Sequence, residues 1–151
     1  MSNRDAFLTM IAVSEGTQQI GDRGYNVIVG STPTHPILFH SYADHPRRVI
    51  QLRPGLSSSA AGRYQILEGI YDAYKTRLHL PDFSPVSQDI LAEQLIRERG
   101  ALPDIDAGRI AAAVERCSSI WASLPGNHYG QHQNALASLQ EAFQAAGGAL
   151  A

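Results

Sequence analysis

The sequence predicts a mainly helical α+β fold with a small antiparallel sheet near the N-terminus. Three observations carry that expectation. Apolar residues recur at the helical period from Tyr64 onward and again before Glu15; two short β-branched or aromatic runs stand between residues 25 and 40; and a stretch rich in Pro, Gly and Ser follows them. At 151 residues, with 44% hydrophobic and 17% charged, the chain has the size of one compact domain with one core.

Taken in order, Phe7, Leu8, Ile11 and Ala12 mark a first helix over residues 4 to 14, and Gly16 stands where it should stop, leaving Glu15 at its end. Residues 25–29 and 37–40 read as two strands joined by the turn-rich segment 31–36. From Asp44 to Ala61, Pro46, Pro54, Gly55 and the run Ser57-Ser58-Ser59 argue for irregular backbone, and a loop of that length is more often functional than idle. Tyr64, Leu67, Tyr71 and Tyr74 then mark a helix that ends before Leu80-Pro81. Ser84-Pro85 opens another, with Pro at its favoured first position, which ends at Gly100. A further helix from about Asp106 presents Ile110, Val114, Cys117, Trp121 and Leu124 as a buried stripe, and a last one covers about residues 133 to 145.

Composition narrows the function. A formal charge of −2 with scattered basic residues lacks the footprint of a nucleic-acid binder. No stretch approaches the roughly 18 apolar residues of a membrane span, and the segment Met1 to Asp5 lacks the basic-then-apolar pattern of a signal peptide, so the chain is expected to stay in the cytoplasm unless another protein releases it. Cys117, a single cysteine in an apolar stripe, is expected to be a buried, inert thiol.

Three segments are candidates for chemistry. Ser14-Glu15-Gly16-Thr17 puts a carboxylate at a helix-to-loop junction among small residues; partial desolvation there would raise its pKa until it holds a proton near neutral pH. From position alone Glu15 reads first as a solvated helix-end acid, but a negative charge at a helix C-terminus is mildly unfavourable, which shifts the balance towards a functional reason. Ala61-Gly62-Arg63-Tyr64-Gln65 offers an aromatic ring and an amide, the pairing that binds a sugar through its apolar face and its hydroxyl or acetamido groups. The loop from Ser123 to Gln131 brings Tyr129 and Gln131 as further candidates. His35, His40 and His45, and the pair His128 and His132, match no recognised ligand pattern, so no metal site is expected.

Ser14-Glu15-Gly16-Thr17, Gly24-Tyr25, residues 27–30, Tyr42, Asp44-His45-Pro46-Arg47 and residues 61–65 together resemble the lambda-type phage endolysins. Residues 82–85, 87–89, 98–103 and 120–126 extend the resemblance, in order, over nearly the whole chain. It implies a single catalytic domain of lysozyme-like fold over residues 1–151, and a lytic transglycosylase that cuts the β-1,4 bond after N-acetylmuramic acid to leave a 1,6-anhydro end. It further implies Glu15 as catalytic acid and base, with Ser14, Tyr25, Asn26, Tyr42, Arg63, Tyr64, Gln65, Tyr129 and Gln131 as glycan-binding residues. The partners it implies are peptidoglycan strands and a separate pore-forming protein for release from the host cytoplasm, with no cofactor. The best-known member of that family has an acidic residue where Asn26 stands, a tryptophan at Val13 and a histidine at Arg23, and it resembles this chain less around residues 31–36.

An ordinary glycosidase uses two carboxylates. Here only Glu15 stands in a convincing site, with Asp22 and Asp44 the nearest other acids in matching regions. A hydrolase using one of them, and a wall-binding module without activity, are the alternatives.

Overall fold

The computed structural model describes residues 2–127, 129 and 132–151. Its elements are α1 (Asn3–Ser14), β1 (Ile50–Arg53), β2 (Leu56–Ser58), α2 (Glu68–Lys75), α3 (Pro85–Glu98), α4 (Leu102–Asp106), α5 (Ile110–Cys117) and α6 (Leu136–Ala145). The chain divides into two compact units, one made of residues 1–15 with 92–151 and the other of residues 16–91. Among the described residues no helix is long and apolar enough to cross a membrane.

The first unit is helical. Ser2 caps α1 by accepting the Asp5 backbone N–H at 3.1 Å, satisfying a donor that the first turn would otherwise leave open. Ala6, Phe7, Met10, Ile11 and Ala12 of α1 are fully buried, the pattern of a helix enclosed on most of its surface. It packs on α6 and α4, while α5 packs on both of those. Leu102, Ile105, Ile110, Val114, Cys117, Trp121, Leu124, Leu139 and Phe143 complete the apolar interior. Arg4 of α1 forms a two-pronged bond to Asp106, at 2.9 and 2.8 Å.

The helix expected from Asp106 onward is divided. Gly108 takes φ +77°, and a Cβ there would meet the backbone of residues 149–151, whose Ala151 N–H donates to Gly108 O at 3.0 Å. A left-handed glycine past the end of α4 is a helix stop, so the predicted stripe is delivered by α5 and the turns after it. Cys117 is buried as expected, and burial pushes its thiol up to about 12.

In the second unit β1 and β2 form a two-stranded antiparallel sheet, inside the segment expected to be irregular. Pro54-Gly55, read as a loop signal, is the turn of this hairpin: Pro presets its own φ and Gly55 takes φ +79°. The expected strands at 25–29 and 37–40 do pair antiparallel, but over a bridge between Val27 and Leu38. Ile28 donates to Ile37 O at 2.8 Å and Phe39 to Asn26 O at 2.9 Å, while the other side of residues 27–29 pairs with residues 60–62. The tyrosine-rich helix begins at Glu68, four residues later than Tyr64, because Gln65 is left-handed at φ +52° and Leu67 is extended.

Candidate active site

Glu15 is the residue that closes α1. Its backbone N–H donates to Ile11 O at 2.8 Å, so the main chain is still helical while the side chain leaves the last turn. Ser123 Oγ donates to Glu15 Oε2 at 2.5 Å. Burial raises the carboxyl pKa to about 7, and the Ser123 bond, which favours the charged form, opposes that rise. Desolvation wins. A group with that pKa carries its proton in a large fraction of molecules at neutral pH, the condition for an acid that must also become a base.

Ser14, buried beside it, does not point at open solvent. Its hydroxyl lies 2.7 Å from Ser123 Oγ, and Asn134 Nδ2 donates to Ser14 Oγ at 3.0 Å and to Ser14 O at 3.1 Å. The Asn134 backbone N–H in turn donates to Ser123 O at 2.8 Å. This use of Asn134 explains why α6 starts at Leu136, later than the apolar periodicity indicated. Ser123 and Asn134 escaped sequence reasoning. A serine and an asparagine in loops carry no local signal, and the one available clue was that Ser123 opens the segment chosen for Tyr129 and Gln131.

In the second unit Tyr25, Arg63 and Tyr64 form one interior cluster. The Tyr64 hydroxyl donates to Asp89 Oδ1 at 2.6 Å and the Tyr25 hydroxyl to the same oxygen at 3.0 Å. Arg63 reaches the Tyr25 hydroxyl at 3.3 Å and Gln18 Oε1 at 2.7 Å, with its guanidinium 5.1 Å from the centre of the Tyr25 ring. The two tyrosine rings meet edge to face at 6.4 Å. With Tyr64 1% exposed, its ring has no open face for a pyranose, so the stacking role expected of it is not what this geometry provides: packing and Asp89 hold the ring inside. Asp89 and Gln18 are further residues that the sequence did not single out.

Gln65 donates to Gly62 O at 2.9 Å and stays half-buried. Asn26 Oδ1 accepts the Asp22 N–H at 2.8 Å, and the Tyr42 hydroxyl donates to Asp22 Oδ2 at 2.7 Å. Tyr129 is exposed, its hydroxyl donating to Ser119 O at 3.0 Å. Gln131 and His128 lie outside the described residues. Both alternative acids are engaged: Asp22 by Tyr42, and Asp44 by Arg47 at 2.8 Å, which Asp72 shares at 2.6 Å. Among the described residues no three of His, Cys, Asp and Glu gather as a metal site requires.

A helical unit and a small antiparallel sheet, with a buried glutamate closing the first helix, are the features of a lysozyme-like fold. The solved structures agree: bacteriophage lambda lysozyme superposes with a TM-score of 0.89 at 51% identity, covering 99% of this chain and 96% of that one. Bacteriophage lambda lysozyme complexed with a chitohexasaccharide superposes with a TM-score of 0.93 at 52% identity and the same coverage. The endolysin family model matches residues 5–150, and the endolysins of Escherichia phages lambda and P2 are 52% and 51% identical to this chain. Those two alignments cover 97% of this chain and 92% and 93% of the relatives. The chain belongs to the endolysin family.

Proposed function

We propose that the chain acts as one catalytic domain, a peptidoglycan lytic transglycosylase that cleaves the β-1,4 bond between N-acetylmuramic acid and N-acetylglucosamine with Glu15 as both acid and base. The observation that carries this reading is the Glu15 carboxyl itself, raised to about 7 by burial and bonded to a neutral hydroxyl. Protonated Glu15 gives its proton to the glycosidic oxygen and the bond to the anomeric carbon breaks, leaving positive charge on the sugar that its acetamido group or ring oxygen carries. The carboxylate then takes the proton of the same sugar's 6-hydroxyl as that oxygen bonds to the anomeric carbon, closing the 1,6-anhydro ring. One side chain is returned to its starting state, and no water is consumed.

The engagement of Asp22 by Tyr42 and of Asp44 by Arg47 supports a mechanism with one carboxylate over a hydrolase with two. We assign glycan contacts to Asn26, Tyr42, Gln65, Tyr129 and Gln131, and to Ser14, Tyr25, Arg63 and Tyr64 a part in shaping those contacts. Release by a separate pore-forming protein belongs to the same reading and rests on the resemblance. Mass spectrometry of the products tests the mechanism: fragments should carry anhydro ends and sum to the substrate mass. Fragments that each gain one water, with Asp22→Asn or Asp44→Asn as damaging as Glu15→Gln, would replace it with hydrolysis.

A further inference from the structure

The three residues behind Glu15 have one consistent hydrogen-bond direction. Ser123 has one hydroxyl hydrogen, and it goes to Glu15 Oε2. In the 2.7 Å contact between the two serines the hydrogen must then come from Ser14. The Asn134 amide donates to Ser14 Oγ and also to Ser14 O, which fixes the amide in place. Every bond therefore points the same way, from Asn134 through Ser14 and Ser123 to the carboxyl, and bonds in series polarise one another.

We propose that Asn134, Ser14 and Ser123 are positioning residues that hold Glu15 through Oε2 and reserve Oε1 as the oxygen that gives and takes the catalytic proton. An oxygen occupied as the acceptor of a short bond is the poorer place for a proton, so the acid proton resides on its twin. Fixing which oxygen reacts also fixes the plane of the carboxyl, and a reacting group held in one orientation needs less reorganisation at the moment of transfer. Burial raises the pKa of the Glu15 carboxyl and the Ser123 bond opposes that rise. The donor chain is thus the lever that moves this group's acidity while leaving net charge untouched.

The proposal rests on Glu15 being the catalytic acid, and its test separates the two ideas. Carbon-detected NMR titration of the Glu15 carboxyl in the full chain reads the proton directly, without activity. Ser123→Ala should move its midpoint upward by about one to two pH units, the equivalent of one lost charge-assisted hydrogen bond. In kinetics it should move the alkaline limb of the rate profile by the same amount and lower kcat about tenfold, with glycan affinity unchanged. Ser123→Thr, which keeps the hydroxyl, should restore both, and Asn134→Ala should give a smaller shift in the same direction. Thermal unfolding of each variant shows that it is folded. A Glu15 titration that stays in place in folded Ser123→Ala overturns the proposal. If Glu15→Gln instead remains active, it is the catalytic reading that fails.

Discussion

The side-chain oxygen of Gln88 occupies the space where Gly62 would carry a Cβ. From there Gln88, fully buried, accepts the Arg63 backbone N–H at 3.0 Å and donates to Tyr25 O at 3.0 Å and Phe83 O at 2.9 Å. Gly62 itself sits at φ +80°. One glycine therefore permits both the backbone conformation and the amide that pins the next residue.

Gly62→Ala should destabilise the chain by about 2 to 4 kcal/mol, the sum of left-handed strain on an alanine and displaced Gln88 bonds. Urea denaturation measures it. Because the second effect runs through the Gln88 amide, the double variant Gly62→Ala with Gln88→Ala should cost less than the sum of the single changes, with the backbone strain remaining. Strict additivity would show that Gln88 adapts freely.

Trp121→Ala should lower stability by about 3 to 5 kcal/mol, the range for truncating a large buried aromatic, since Trp121 is 3% exposed. Its place two residues before Ser123 adds a second readout: the Glu15 titration should shift in this variant as well. An unchanged melting temperature with weakened glycan binding would make Trp121 a sugar contact instead.

Glu15→Gln should abolish turnover and also make the protein more stable at high pH. Folding raises the Glu15 pKa from 4.5 to about 7, so between these values the folded state holds more protons than the unfolded state and stability falls as pH rises. Below pH 4.5 the glutamate costs nothing; above 7 the cost reaches about 3 kcal/mol. Glutamine has no such loss, and the gap between variant and wild type should open from near zero at pH 4 to that figure at pH 8. His45 slopes the other way. Burial lowers its pKa, and its Nδ1 accepts the Arg47 N–H at 3.0 Å, so its contribution is lost as pH falls below the ordinary histidine value. That term is common to both proteins and cancels in the comparison. Equal stability of the two at pH 8 would mean that Glu15 is not desolvated.

How far the sequence could be read depended on the range of the interaction. The first helix, the helix opened by Pro85 and the burial of Trp121 follow from apolar spacing within a few turns, and each was legible. Glu15 was legible too, because a carboxylate at a helix stop is a local contradiction. Gly108 was not recognised as a helix stop, since its requirement comes from the backbone of residues 149–151. The hairpin at Ile50–Ser58 was hidden for the opposite reason: Pro and Gly mark loops and tight hairpin turns alike, and short exposed strands with Gln51, Arg53 and Ser57 have little apolar alternation to distinguish them. Which way Tyr64 turns was not legible, because whether a tyrosine faces a ligand or the interior depends here on Asp89, a residue of the distant helix α3.

The unit that holds Glu15 is assembled from two stretches of chain separated by residues 16–91. A ribosome makes α1 early and Ser123, Asn134 and α6 late, and domains complete their packing only once all their segments have emerged. Until then Glu15 is an ordinary solvated carboxylate with an ordinary acidity, since neither its burial nor its hydroxyl donor yet exists. The raised pKa of Glu15 is therefore absent from a growing chain until residues 92–151 have joined residues 1–15.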